Sequence, residues 1–375
     1  MKKEILIIMS ALHGGGAEKV LIDYLNNFDY TRYNVTLCLI LNEGVYLKDI
    51  PEQVDVKYLY KKFSIFPYRF EHWCSKILGF NWFQQKRVNS IFKKHSFDTV
   101  VSYMEGIPLK FHNYFFKRAT NHVTWIHLDL LNFHYSLSVF KNKKEEEGIY
   151  KKMSSIIFVS EDAKEQFNKL YNINVSKKVI YNIIDKQNIQ NSINTKYIPD
   201  NKIIITAVGR LEIQKRFDRL IDAAKLLKDR NLLFQINIIG EGSLRSKLEK
   251  QIKDNEVEGF VSLKGFVKPP YNLINQSDIL VATSEAEGFS LVVAEALCLG
   301  KAVVSTATAG PIELLDNGKY GIICEHDVKA IYLAIESLIM DRKKIEKYQK
   351  LALERSQFFE ISKSMKFFEN VIENE

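Results

Sequence analysis

Apolar and polar positions along the first half of the chain alternate between two periodicities. Residues 4–10 (EILIIMS) form a short apolar run, whereas Val20, Leu21, Tyr24, Leu25 and Phe28 recur at helical spacing within 17–28. Residues 34–41 (NVTLCLIL) then return to β-branched and apolar character, which predicts a β-α-β unit. Further strands are predicted at 54–60, 99–104, 122–128, 154–160 and 177–184, with helical stretches between several of them. From about residue 186 the chain turns polar (KQNIQNSINTKYIPDNK), as a linker would, and a second alternation follows. Its strands are predicted at 203–209, 233–240, 261–267, 279–284 and 302–306, and its helices at 216–229, 243–254 and 290–299. Such alternation implies parallel sheets covered on both faces, hence an α/β protein of two doubly wound, Rossmann-like domains. The predicted boundaries are 1–187, 188–355 and a terminal helix over 356–375, where Phe358, Phe359, Met365, Phe367, Phe368 and Ile372 suggest packing back on the first domain.

Composition changes this picture little. A chain of 375 residues with 46% hydrophobic and 26% charged residues suits two packed domains, and disordered or fibrous classes are excluded. Cys38, Cys74, Cys298 and Cys324 are too scattered for a disulfide framework or a zinc site. The apolar run after Lys2 and Lys3 superficially resembles a secretory signal. It is strand-length, flanked by Glu4 and followed by a glycine turn into a helix, so a cytoplasmic protein is expected. No run approaches the roughly 20 residues needed to cross a bilayer.

Charge is more informative once divided. Residues 1–185 carry 26 Lys and Arg against 19 Asp and Glu, leaving +7 of the total +8 in that half. Between 61 and 95 stand Lys61, Lys62, Arg69, Lys76, Lys86, Arg87, Lys93 and Lys94 against the single acid Glu71. The same stretch holds Phe63, Phe66, Tyr68, Phe70, Trp73, Phe80, Trp82 and Phe83. Basic groups beside large rings suit an anionic membrane surface; the alternative is a solvated helix face over core aromatics. No nucleic-acid partner is expected.

In open α/β sheets, ligands sit beyond the carboxyl ends of strands, so motifs there carry the chemistry. GGGAEKV (14–20) follows the first strand; its glycines could present amides to an anion, or could simply make a tight turn. Lys19 stands where a dinucleotide fingerprint needs glycine, which disfavours that site although Glu43 resembles a ribose acid. In VGRLEIQK (208–215), Gly209 precedes Arg210, and Arg210 and Lys215 could neutralise a diphosphate or remain solvated loop charges. Gly240 and Gly242 in IIGEGSL bracket a second turn, either ligand-binding or structural. SEAEGFSLVVAEAL (284–297) sets Glu287 in a loop and Glu295 in the following helix, seven residues between them, with Ser290 able to cap that helix and Gly300 to end it. An apolar helix has little reason to bury Glu295 unless its carboxylate binds something such as a ribose diol; otherwise it is exposed.

Glu287 and Glu295 in that segment, followed by GKAVVSTATAGPIELL and preceded by VGRLEIQK and IIGEGSL, resemble the donor domain of family 4 of the retaining, nucleotide-sugar-dependent glycosyltransferases, which have the GT-B fold of two Rossmann-like domains facing across a cleft. GGGAEKV and WIHLD, with His127, are similar to that family's acceptor domain. The resemblance implies that Arg210 and Lys215 grip the donor diphosphate, that Glu295 binds the ribose, and that Glu287 with the amides of Gly288, Phe289, Ser290 and Leu291 holds the sugar and phosphates. Gly15 and Gly16 would close over the diphosphate, with His127 beside the sugar. Arg216 stands where the family often has glycine, and YNIID (181–185) lacks a frequent asparagine-glycine pair.

The implied activity is transfer of a UDP-linked hexose or N-acetylhexosamine to a saccharide, lipid-linked acceptor in surface polysaccharide synthesis, at the inner face of the cell membrane. No cofactor is implied beyond the nucleotide-sugar substrate, and no metal, since no D-x-D motif ends a strand. Retention without an evident nucleophile points to attack from the leaving-group face. The alternatives are an inactive GT-B partner subunit and a transferase acting on a protein or soluble acceptor.

Overall fold

A computed structural model describes residues 1–61, 65–196 and 201–374. The chain divides into two compact units, Met1–Ile183 with the segment from Ile361 onward, and Ile184–Glu360. The division thus falls at 183/184 and 360/361, against the expected 187/188 and 355/356.

The first unit holds seven parallel strands: β1 (Lys3–Met9), β2 (Tyr33–Leu41), β3 (Asp55–Tyr60), β4 (Thr99–Ser102), β5 (Asn121–Ile126), β6 (Ser155–Phe158) and β7 (Ser176–Val179), in the order β3-β2-β1-β4-β5-β6-β7. Ile5 to Met9 are completely buried, as a central strand covered on both faces requires. The order reverses at β1, which lies between β2 and β4 and sends its carboxyl end toward the glycine turn and the helix Gly16–Asn26. The returning helix Ile361–Ile372 closes this unit. Phe368 is fully buried against Tyr24, Phe28 and Trp125, at ring separations of 5.1, 5.8 and 5.1 Å, while Thr99 and Asn121 donate to its last carbonyls. The helix is shorter than expected because Ser356–Phe358 form a separate turn and Phe359 packs near Phe289 in the second unit.

The second unit holds β8 (Ile203–Val208), β9 (Phe234–Ile239), β10 (Val261–Leu263), β11 (Ile279–Ala282), β12 (Ala302–Thr306) and β13 (Ile322–Cys324), in the order β10-β9-β8-β11-β12-β13. All pair in parallel, and the reversal lies between β8 and β11. The helices Phe217–Asp229 and Val328–Ile339 cover it with Leu220, Ala224, Leu227, Ile331, Ile335 and Leu338. The polar stretch read as a linker contains a short helix, Lys186–Asn191, capped by Asp185 through a 2.8 Å bond from the Asn188 amide; residues 197–200 of that stretch lie outside the described residues.

Candidate functional site

The candidate residues divide between the units: Gly15, Gly16 and His127 belong to the first and the remainder to the second. In the second unit Gly209, Arg210 and Lys215 follow β8, Gly240 and Gly242 follow β9, and Glu287 to Leu291 follow β11, to either side of the point where the sheet reverses, with Glu295 in the helix after them. Lys215 lies in the turn Ile213–Lys215, and its ammonium group pairs with Glu287 Oε1. The Ser284 hydroxyl donates to the same oxygen at 2.7 Å. Gln214 holds the two loops in register through both its backbone and its side chain: Glu285 N donates to the Gln214 carbonyl and the Gln214 side-chain Nε2 to the Ala286 carbonyl, both at 2.8 Å. Thr283 adds a 2.8 Å bond to the Lys215 carbonyl. The pair is thus anchored by short-range contacts on both sides. Arg210 stands exposed on the loop leaving β8.

Glycines make this loop geometry achievable. A Cβ at Gly209 would press to 3.1 Å from Lys215 Cε, so the lysine stem passes over that position. At Gly240, whose φ is +146°, a Cβ would lie 1.8 Å from the Gly209 carbonyl oxygen, and at Gly242 2.5 Å from that of Leu211. Both therefore serve close approach of two loops, which the bonds Gly209 N to Ile239 O and Leu211 N to Glu241 O, each 2.9 Å, then lock. Arg216 adopts a left-handed conformation (φ +50°, ψ +40°), the geometry glycine favours, and its guanidinium bonds Asp218 and Glu285 at 2.9 Å each.

Glu295 is buried in the helix Leu291–Cys298, 3.5 Å from the Tyr271 hydroxyl, which is buried too. Ser290 stands at the N-cap position but in a left-handed conformation (φ +67°) and makes no side-chain cap bond, contrary to the expected capping role. Gly300 ends the helix as expected, with φ +64° and amides of Gly300 and Lys301 returning to Leu297 and Ala296 at 3.1 and 2.9 Å. The Gly310 amide donates to the Glu287 carbonyl at 3.0 Å, and a Cβ there would overlap the Phe289 backbone at 2.4 Å. The loop containing Gly288 and Phe289 is thereby fixed from the TATAG segment.

In the first unit, the amides of Gly14 and Gly15 both donate to Glu18 Oε2. The glycine turn does cradle an anion, and that anion is the chain's own carboxylate. His127 follows β5, its ring 5.0 Å from Tyr103 and 5.6 Å from Trp125. Burial lowers its pKa to about 3, so the ring is neutral near pH 7, and its Nε2 has no hydrogen-bond partner among the described residues. Its backbone amide donates at 3.0 Å to Glu105, a buried carboxylate beyond β4 that also accepts from Tyr135 at 2.9 Å. Burial pushes the Glu105 carboxyl above its ordinary range. Asp129 organises the next turn by accepting from the Leu131 and Asn132 amides at 3.0 and 3.1 Å. Glu105, Tyr135, Ser284 and Tyr271 escaped the sequence reading because each is a lone polar residue without a recognisable spacing partner. No group of three or more His, Cys, Asp and Glu is placed to hold a metal ion among the described residues.

Two parallel doubly wound units of this kind define the GT-B fold. The whole chain superposes on the Anabaena protein HepE in complex with UDP-glucose at a TM-score of 0.80, with 21% identity and all of each chain covered. Residues 188–355, somewhat under half the chain, match the family described as Glycosyl transferases group 1. The N-acetylgalactosamine-N,N'-diacetylbacillosaminyl-diphospho-undecaprenol 4-alpha-N-acetylgalactosaminyltransferase of Campylobacter jejuni is 31% identical over 217 residues, 56% of this chain and 58% of the relative. The poly(ribitol-phosphate) alpha-N-acetylglucosaminyltransferase of Staphylococcus aureus is 32% identical over 124 residues, 33% of this chain and 25% of the relative. The chain thus spans less than two thirds of either relative's length.

Proposed function

We propose that the protein is a retaining glycosyltransferase of family 4 that moves a sugar from a UDP-linked hexose or N-acetylhexosamine to a lipid-linked saccharide in surface polysaccharide synthesis. The observation that carries this reading is the ordered pair of Lys215 and Glu287 at the point where the second sheet reverses, followed in the chain by a helix that buries Glu295. The names of the Campylobacter and Staphylococcus relatives support N-acetylhexosamine transfer, and the first supports a diphospho-lipid carrier. UDP-glucose in the Anabaena neighbour supports the UDP donor.

In this reaction the anomeric carbon loses its bond to the diphosphate oxygen and gains one to an acceptor hydroxyl. Negative charge builds on the departing diphosphate, where Arg210, Lys215 and the amides opening the helix Leu291–Cys298 are assigned to meet it. Glu287, already accepting from Lys215 and Ser284, has further acceptor capacity for a sugar hydroxyl. Glu295 is assigned to the ribose hydroxyls. In the first unit, neutral His127 is assigned to hydrogen-bond a sugar hydroxyl; the Gly14 and Gly15 amides are taken by Glu18, so the glycine turn at Gly15 and Gly16 would meet a diphosphate only if that carboxylate gives way. Attack from the leaving-group face lets the acceptor proton pass to the diphosphate, so no protein nucleophile is needed. The side-chain and backbone donors supply the charge that a divalent cation would otherwise bring.

The test is a panel of nucleotide sugars incubated with the protein in excess chelator, reading nucleotide release with and without a lipid-linked saccharide. Release from a UDP-sugar, accelerated by acceptor, is expected. Absence of release from every donor would overturn the transferase reading, and loss restored by magnesium or manganese would overturn metal independence.

A further inference from the structure

The helices Ile65–Leu78 and Trp82–Phe92 of the first unit bury Tyr68, Cys74, Val88 and Phe92, as amphipathic packing requires, and polar groups beside them. Their buried positions include Glu71, Ser75 and Gln84, which are satisfied internally: Tyr60 donates to Glu71 at 2.5 Å, Ser75 to Asn81 at 2.5 Å and Tyr114 to Gln84 at 2.7 Å. Several of their outward positions are large and apolar. Phe66, Phe70, Trp73 and Ile77 recur at intervals of three and four, hence on one helix face, with Phe66 78% and Trp73 52% exposed. Phe80, Trp82 and Phe83 extend that face across the turn, and ring contacts of 6.2 Å (Phe70 to Phe83), 5.5 Å (Phe80 to Phe83) and 5.2 Å (Trp82 to Phe83) make it continuous. A contiguous aromatic surface of this kind marks an interaction site. Lys62 and Phe63 lie outside the described residues.

Charge identifies the occupant. Glu71, the single acid between 61 and 95, is buried and committed to Tyr60 and Arg87, so the exposed charges of the two helices are basic. Arg87 itself is taken up in that pair and over the Tyr60 ring, at 4.2 Å, and does not belong with the outward cations as its sequence position suggested. Lys86 lies 4.6 Å from the Trp82 ring centroid. Along the same helix face, Trp82, Lys86, Asn89 and Lys93 follow at helical intervals, leading to a groove lined by Lys93, Lys94, Lys117, Arg118 and Lys152 and by no acid. A second copy of this chain would set basic face against basic face, which disfavours self-association. Rings at one end and ammonium groups at the other match the boundary of an anionic bilayer, rings at the headgroup level and cations near phosphates. Among the described residues no helix is long and apolar enough to cross.

We propose that this aromatic and basic surface docks the first unit on an anionic phospholipid bilayer. Docking is independent of sugar transfer, so a vesicle assay without nucleotide sugar separates the two readings. The full chain is expected to float with phosphatidylglycerol-containing vesicles and not with pure phosphatidylcholine, and added salt is expected to weaken binding. Lys93→Gln with Lys94→Gln and Lys117→Gln should weaken binding on the order of 100-fold, about fivefold per lysine. Trp73→Ser with Trp82→Ser should weaken it about tenfold or more while leaving the salt dependence. Circular dichroism checks that both variants remain folded. Equal binding to both vesicle types, binding to neither, or a concentration-dependent dimer abolished by the tryptophan variant would overturn the proposal.

Discussion

Lys215 and Glu287 hold each other in place, so removing either changes the other. Lys215→Ala is expected to lower turnover by roughly 30- to 1000-fold, the ~2–4 kcal/mol that a preorganised charge contributes at a departing anion, with little change in donor affinity. Glu287→Gln leaves the lysine without its anionic partner, and Ser284 then has only an amide to bond. The double variant should lose less than the sum of the two single losses, because both belong to one hydrogen-bonded unit. Steady-state kinetics on the four proteins of this cycle check it; strict additivity would show that the pair does not act together. Glu295→Gln should instead raise the donor KM about tenfold or more while sparing kcat, as loss of a ribose contact does. Tyr271 then distinguishes a ligand role from a structural one: Tyr271→Phe removes the hydroxyl 3.5 Å from Glu295 and should shift KM in the same direction by less.

At the scale of elements, the two loops beyond β8 and β9 form one locked unit, which makes Gly240 their weakest point to substitution. Gly240→Ala combines a left-handed backbone, costing about 1–2 kcal/mol, with overlap on the Gly209 carbonyl, costing about 1–3 kcal/mol more. Denaturant unfolding should show a loss of about 3 kcal/mol; an unchanged midpoint would mean that the loops are free to part. Such close approaches were not legible in the sequence, which shows two glycines but not what faces them. Strand positions were legible wherever an apolar run alternated with helical spacing. This failed at β13, three half-buried residues too short to leave a pattern. Likewise Glu287 and Glu295 could be found from their spacing, while Ser284 and Tyr271 could not. The helices at 65–92 show the same limit: their mixture of rings and cations was readable, but the burial of Glu71, Ser75 and Gln84 beside the apolar positions depends on Tyr60, Asn81 and Tyr114.

Over the whole molecule, titratable imidazoles are unevenly shared: of eight histidines, only His326 lies in the second unit. Within the first, burial lowers the pKa of His72 to about 4 and of His127 to about 3, and it also lowers those of His112 and His122, which bond each other at 3.1 Å. An unfolded histidine titrates near 6.5, so below about that pH the unfolded chain binds protons that the folded unit refuses. Stability is therefore lost as pH falls from about 6.5 toward the folded values, at up to about 1.4 kcal/mol per pH unit for each such group. Glu105 opposes this, since its raised pKa favours proton uptake by the folded unit, but it is one carboxyl against four imidazoles. The first unit should accordingly lose hydrogen-exchange protection between pH 7 and about 5.5, after correction for intrinsic exchange, while β8, β9 and β11 of the second keep theirs. Earlier loss in the second unit, or parallel loss in both, would show that the buried imidazoles accept protons without unfolding.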